Sequence, residues 1–211
     1  EAFREALQTG LRKGPVMLKA GAKSTVLRAG SGNSTMVGGA TVTLKDSSAA
    51  TLTLSATQSN VNASTRSKAV KLTGNAWDNS IVGGSKNDIF YGNAGDDKLY
   101  GNAGNDKLYG GAGNDSLIGG NGNDSLWGDA GKDTFIYTAG KDVIFGFEND
   151  DMLQIMDTFT ASYNASAKTV AFKVGSTANA ITLKDFTATT FSVNDDTYQI
   201  SNNKFVKFVK K

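Results

Sequence analysis

The chain has 211 residues, with 22 Lys and Arg against 20 Asp and Glu, a net charge of +2, and neither histidine nor cysteine. The missing histidine excludes His-dependent catalytic triads, His-ligated zinc and histidine general-base chemistry; the missing cysteine fits an extracellular protein that needs no disulfide staple. No apolar run reaches about 18 residues, so no membrane-spanning helix is encoded, and the basic residues form no dense run with interleaved aromatics that would suit nucleic acid.

In chain order, residues 1–19 read as a linker or short helix from an upstream region. Ala2, Phe3, Ala6 and Leu7 share one side of a short amphipathic helix, ended by Gly10, Gly14 and Pro15. A helix lying on a membrane surface is the alternative reading of that stretch. The opening on Glu1, without a signal-peptide pattern, reads as a fragment or processed product. Residues 20–73 are rich in Thr, Ser, Val and Leu and alternate in TVTL (41–44) and TLTL (51–54), so short strands with Gly, Asn and Ser corners are expected. VNAS (61–64), VKLT (70–73) and SIV (80–82) arrive at intervals of about nine. The segment is therefore either a metal-poor solenoid or a β-sandwich. Either would cap the repeats that begin at residue 74, because an open coil exposes core and unpaired edge.

From 74 to 154 the chain repeats in nines: GNAWDNSIV, GGSKNDIFY, GNAGDDKLY, GNAGNDKLY, GGAGNDSLI, GGNGNDSLW, GDAGKDTFI, YTAGKDVIF, GFENDDMLQ. The sixth place after the first block is always Asp: Asp88, Asp97, Asp106, Asp115, Asp124, Asp133, Asp142 and Asp151. The eighth is always apolar: Ile81, Phe90, Leu99, Leu108, Leu117, Leu126, Phe135, Ile144 and Leu153. Asp falls at a given site roughly once in sixteen, so this register arises by chance on the order of once in 10⁹ to 10¹⁰. Each block reads as a six-residue Gly/Asn turn, with Asn93 and Asn102 standing where a second glycine would, followed by a three-residue strand whose centre points inward. Nine residues then make half a coil, and blocks eighteen apart stack.

Stacking aligns Asp88, Asp106, Asp124 and Asp142 in one column and Asp97, Asp115, Asp133 and Asp151 in another. Strands lie about 4.8 Å apart, so the aligned carboxylates repel unless cations lie between them. Residues 74–151 carry 13 acidic and 5 basic side chains (−8), leaving 7 acidic and 17 basic elsewhere (+10). Ca²⁺ takes six to eight oxygens in flexible geometry, whereas Mg²⁺ demands a compact octahedron and keeps its water. Turns rich in Gly and Asn offer the needed carbonyls, and about four to seven ions are expected.

These blocks resemble the RTX family of glycine-rich, calcium-binding nonapeptides. The resemblance implies an all-β fold, a right-handed parallel β-roll (a calcium-binding β-solenoid) with β-rich caps at both ends. It implies that each ion takes second- and fourth-place carbonyls and the Asp of one block, with first- and third-place carbonyls and the Asp two blocks on. One such site would be Asn93, Gly95 and Asp97 with Gly110, Ala112 and Asp115. Its neighbour would be Asn102, Gly104 and Asp106 with Gly119, Asn121 and Asp124. The same scheme adds the carbonyls of Gly101, Ala103, Gly111, Gly113, Gly120, Gly122, Gly128 and Ala130. The pattern departs from the family at Trp77, Asn79 and Lys86, and the blocks beginning at Tyr137 and Gly146 lack the glycine pair.

Residues 155–211 lose the repeat. TVAFKV (169–174), AITLKDF (180–186), TFSV (190–193), TYQI (197–200) and KFVKFV (204–209) read as strands between turns. They resemble the C-terminal cap that comes after RTX repeats and often holds a type I export signal, although Lys207, Lys210 and Lys211 give a basic ending rather than the usual acidic one. Ninth-place residues face outward in two columns: Tyr91, Tyr109, Trp127 and Phe145, and Tyr100, Ile118 and Ile136. The first is a candidate surface for a partner, a neighbouring domain or a glycan, against the plainer reading that it stabilises the sheet.

The resemblance implies a calcium-dependent module of a larger secreted or cell-surface bacterial protein, served by type I secretion machinery and joined to an upstream domain. The alternative function is a calcium-rigidified adhesion module. No nucleophile–base pair is legible, so no enzyme activity is expected within these residues; a catalytic domain would lie upstream.

Overall fold

The computed structural model describes residues 60–175 without a break, together with residues 17–19, 25–27, 33–37, 41–44, 50–54, 180–186, 188, 190–194, 196–201 and 204–208. Every regular element among them is a β-strand. The helix expected over residues 1–11 lies outside the described residues. Successive strands from Met17–Lys19 to Met152–Ile155 alternate between two eleven-stranded sheets, each strand pairing in parallel with the strand two elements on. The all-β parallel solenoid read from the repeat is the fold.

The nine-residue ruler appears directly in the ladder. Leu99 pairs with Leu117 in one sheet and Leu108 with Leu126 in the other, eighteen residues apart in both cases. Eighth-place side chains point inward in two columns, one from each sheet, from Ile81 through Leu117 to Leu153 and from Phe90 through Leu108 to Ile144, none more than 2 % exposed. Neighbours on either side are half-buried, as a period of two requires. A buried column of this kind is stabilised by roughly 25 cal/mol for each Å² of apolar surface removed from water.

Two readings need correction. The six-residue half of the block is not all turn: the strands run six residues, as in Ile89–Ala94 and Lys107–Ala112, and the tight turn is confined to the three residues between one strand and the next. Ladder pairing continues through Gly111 with Asn93 and Ala112 with Ala94. The chain bends without leaving the ladder because the second-place residue is left-handed, at φ 83° in Asn93 and 115° in Gly111. The nine is also kept only in part below the repeat: Met17 pairs with Thr35 and Asn33 with Thr51 at eighteen residues. Ala50 pairs with Val70 and Asn60 with Ser80 at twenty residues, while Thr25 pairs with Val42 at seventeen. These coils are still parallel and still stacked, so the segment is a solenoid rather than a sandwich.

Each sheet ends the same way at the far side. Ala180–Lys184 adds in parallel to Lys141–Phe145, then Thr169–Val174 and Phe159–Asn164 join antiparallel. Thr190–Val193 adds in parallel to Met152–Ile155, then Asp196–Ser201 and Lys204–Phe208 join antiparallel. The strand Phe159–Asn164 was not expected from the sequence, because it alternates half-buried and exposed positions and buries none fully. Reversal of direction stops further coils from stacking, and aromatic rings fill the end of the core. Phe147 meets Phe191 edge-on at 5.8 Å, and Phe186 meets Phe191 at 5.1 Å. Both sheets continue across residues 73 and 154.

Candidate metal centre

The sixth-place aspartates close the turns and are buried, none more than 3 % exposed. Their two oxygens do different things. Oδ1 reaches back one coil and accepts the backbone N–H of the aspartate eighteen residues earlier. Asp97 donates to Asp115 at 2.7 Å, Asp115 to Asp133 at 2.8 Å, and Asp106 to Asp124 at 2.8 Å. Oδ2 turns to the next gap. In Asp97, Asp106, Asp115, Asp124 and Asp133 it is buried with no hydrogen-bond partner.

What faces that oxygen is backbone. A Cβ on Gly92 would strike Asp97 Oδ2 and the Gly110 carbonyl; one on Gly101 would strike Asp106 Oδ2 and the Gly119 carbonyl. On Gly110 it would strike Asp115 Oδ2 and come 2.8 Å from the Gly128 carbonyl. Gly119 and Gly128 stand the same way to Asp124 and Asp133. These first-place glycines do not have left-handed φ. Glycine is needed there because a side chain would fill the gap, whereas the second and fourth places need it for φ. The carbonyls of Asn93, Gly95, Asn102 and Gly104 lie where a Cβ on Gly111, Gly113, Gly120 and Gly122 would fall. The carbonyls of Ala112, Asn121 and Ala130 also accept N–H groups, from Gly95 at 2.9 Å, Gly104 at 3.0 Å and Gly113 at 2.9 Å. Across the gaps from Asp97 to Asp115 and from Asp106 to Asp124, the atoms that the repeat scheme pairs thus lie against one another.

Burial pushes the carboxyls of Asp97, Asp106, Asp133 and Asp142 up to about 7 and that of Asp115 up to about 6, from an ordinary 3.8. Backbone N–H donors oppose this. Neighbouring carboxylates add to it, Asp115 acting on Asp97 and Asp124 on Asp106. An unpartnered buried anionic oxygen is costly, and a cation is the group that relieves it. No three acidic side chains converge among the described residues. With two carboxylates per gap, an ion would draw the rest of its ligands from carbonyls, an all-oxygen set that suits Ca²⁺.

The family model described as RTX calcium-binding nonapeptide repeat (4 copies) matches residues 73–108, 100–135 and 109–144. Residues 73–144 are RTX calcium-binding repeats. This part of the chain is thus a calcium-binding β-roll. No curated protein matches the chain. Among solved structures it is similar to the AlgE6R3 subunit of the Azotobacter vinelandii mannuronan C5-epimerase, at 22% identity over 55% of this chain and 70% of that one, with a TM-score of 0.35.

The RTX columns end by several devices that residue spacing did not reveal. Asp88 Oδ2 accepts the Gly84 N–H at 2.8 Å, and Asp151 Oδ2 the Glu148 N–H at 2.8 Å. Asn79 replaces an aspartate and accepts the Asn75 N–H at 2.9 Å. Tyr137 occupies a first place, buried, with its hydroxyl donating to the Gly140 carbonyl at 3.0 Å. A second ladder runs beside the aspartate columns. Fifth-place Asn and Asp side chains accept fifth-place N–H groups one coil on: Asp78 from Asp96, Asn87 from Asn105, Asp96 from Asn114 and Asn105 from Asn123, all within 2.9 Å. The near-constant Asn or Asp before each repeat aspartate was its available signal.

The outer aromatic column is a continuous stack. Tyr91–Tyr109, Tyr109–Trp127 and Trp127–Phe145 have centroids 4.8, 4.4 and 4.5 Å apart, with planes within 12°. Lys71 lies 5.0 Å over Tyr91 at one end, and Lys184 lies 5.5 Å over Phe145 at the other. The rings are half-buried. Their faces are taken by neighbouring rings and these two ammonium groups, so what they offer outward is edges. A sugar binds by laying its C–H face on an open ring face, and this geometry lends the glycan reading no support.

Proposed function

We propose that the chain is a calcium-folded module holding five ions, one in each gap that contains an unpartnered Oδ2. Asp97, Asp106, Asp115, Asp124 and Asp133 each supply that oxygen, and Asp142 and Asp151 complete the last gap of each column. The carbonyls expected from the repeat, from Asn93 and Gly95 through Gly128 and Ala130, complete the ligand sets. The observation that carries this reading is the row of five buried, unpartnered carboxylate oxygens, each beside a glycine whose missing side chain keeps the gap open. Asp88 differs in having its second oxygen engaged by its own turn.

When bound, calcium supplies the positive charge that lets the acidic coils close, so its binding free energy becomes folding free energy. Extracellular calcium modules bind at about 10⁻⁴ to 10⁻³ M. Cytosolic calcium lies far below that, which suits a segment that stays unfolded until it leaves the cell by type I secretion and then stabilises a larger secreted or cell-surface bacterial protein. Within the described residues no helix is long and apolar enough to cross a membrane. Catalysis is assigned to none of these residues.

The test is circular dichroism and metal analysis on one preparation. Millimolar Ca²⁺ is expected to raise β-sheet signal, a chelator to reverse it, and native mass spectrometry to count five ions. Full β-sheet signal in chelator, with no metal retained, would refute the reading.

A further inference from the structure

We propose that Arg66 is a built-in cation that takes the place of an ion at the N-terminal end of one acidic column, so that the coil carrying Asp88 closes without metal. Arg66 is the largest of the fully buried side chains, 1 % exposed, in a chain whose other cations lie at the surface or half-buried among the described residues. Its backbone is pinned directly against the Asp88 turn. Ala63 N–H donates to the Val82 carbonyl at 2.8 Å, and Arg66 N–H to the Ala63 carbonyl at 2.9 Å. Ser85 Oγ donates to the Arg66 carbonyl at 3.3 Å, and a Cβ on Gly84 would come within 3.3 Å of the Arg66 Cβ. Gly84 N–H in turn donates to Asp88 Oδ2, and Val70 N–H donates to Asp88 Oδ1 at 2.8 Å.

The gap above Asp88 keeps only part of the cradle: Gly83 stands to Asp88 Oδ2 and the Gly101 carbonyl as the other first-place glycines do, but that oxygen is already engaged by the Gly84 N–H. Lys86 stands in the fourth place, and neither it nor Gly84 has the left-handed φ that Asn93 and Gly95 show. Asp88 is nonetheless as buried as its column partners, at 1 % exposed. Burial raises its carboxyl, while the Gly84 and Val70 donors and then the Arg66 charge draw it back down. The charged groups acting on Asp97, Asp106, Asp115, Asp133 and Asp142 are all carboxylates. Guanidinium keeps its charge at every physiological pH, so this end of the column is neutralised permanently. The opposite column reaches the same result by subtraction, with neutral Asn79 in the aspartate place. The roll thus rests on a metal-independent base.

The inference rests on the calcium reading only for its ion count, and the experiment separates the two. Hydrogen exchange of the Val70 and Gly84 amides in chelator is compared in the full-length wild type, Arg66→Lys, Arg66→Met and the double variant Arg66→Met/Asp88→Asn. Arg66→Met is expected to accelerate exchange about a hundredfold or more, because it strands a buried carboxylate. Arg66→Lys should retain much of the protection, and removing the Asp88 charge should restore it in the double variant. Equal loss in the single and double Met variants would overturn the proposal, whether or not either folds, since it would show that Arg66 does not act through Asp88. Native mass spectrometry in calcium supplies the second check: Asp88→Asn should leave the ion count unchanged, and loss of an ion would place Asp88 among the ligands and overturn the proposal. A wild type that binds no calcium would sink the calcium reading while leaving the Arg66–Asp88 coupling standing.

Discussion

At the scale of the residue, each interior repeat aspartate belongs to two gaps at once. Asp115 turns Oδ1 to the Asp97 N–H on one side and Oδ2 toward Gly128 on the other. Asp115→Ala is therefore expected to lose two ions, whereas Asp151→Ala, at the end of its column, loses one; native mass spectrometry in calcium counts them. Protonation is governed by the same burial. Between an ordinary 3.8 and about 7, the metal-free fold binds more protons at Asp97, Asp106 and Asp133 than the unfolded chain does. Its stability is then greatest at low pH and is lost as pH rises through that interval. Metal-free protein should melt at a lower temperature at pH 8 than at pH 5. Calcium competes with those protons, so its half-saturation concentration should fall as pH rises to 8. A metal-free melting temperature that climbs with pH would contradict the assignment.

At the scale of the element, three ladders run along the strands beside the aspartate columns, and none of the three needs an ion. Inside is the eighth-place apolar column; along the turns is the fifth-place Asn/Asp ladder; outside is the aromatic stack. Stacked pairs contribute about 0.5–1.5 kcal/mol each beyond area burial. Trp127 belongs to two such pairs, so Trp127→Ala should cost about 1–3 kcal/mol in calcium-saturated protein. A denaturant titration reads this, and the calcium count should not change. Tyr91→Ala breaks one ring pair and one Lys71 contact, and should cost less.

Across the whole molecule, the regions differ in what closes them. The middle coils carry the five unpartnered carboxylate oxygens, the coil below has Arg66, and the far end has antiparallel strands around Phe147, Phe172 and Phe191. Chelation is expected to remove hydrogen-exchange protection first from residues 95–133 and last from residues 159–174, whose pairing needs no ion. Uniform loss would mean that the roll and its end unfold as one unit.

The sequence by itself determined the period, the identity of the buried column and the pairing of acids eighteen residues apart, because a repeat forces equivalent residues into equivalent places once two blocks close a coil. It also exposed the second-place Asn93 and Asn102 as glycine substitutes, since few other residues accept a left-handed φ. Only the tertiary structure decided where the columns stop. Glu148, Tyr137 and Arg66 lie outside the repeat's rule and Gly84 sits in it without the usual left-handed φ, and their roles depend on which atoms meet across coils. It likewise decided that the first-place glycines are there for space rather than φ, and that Tyr91, Tyr109, Trp127 and Phe145 give their faces to one another. Periodicity says which residues align, while contact between coils says what each aligned atom finds there.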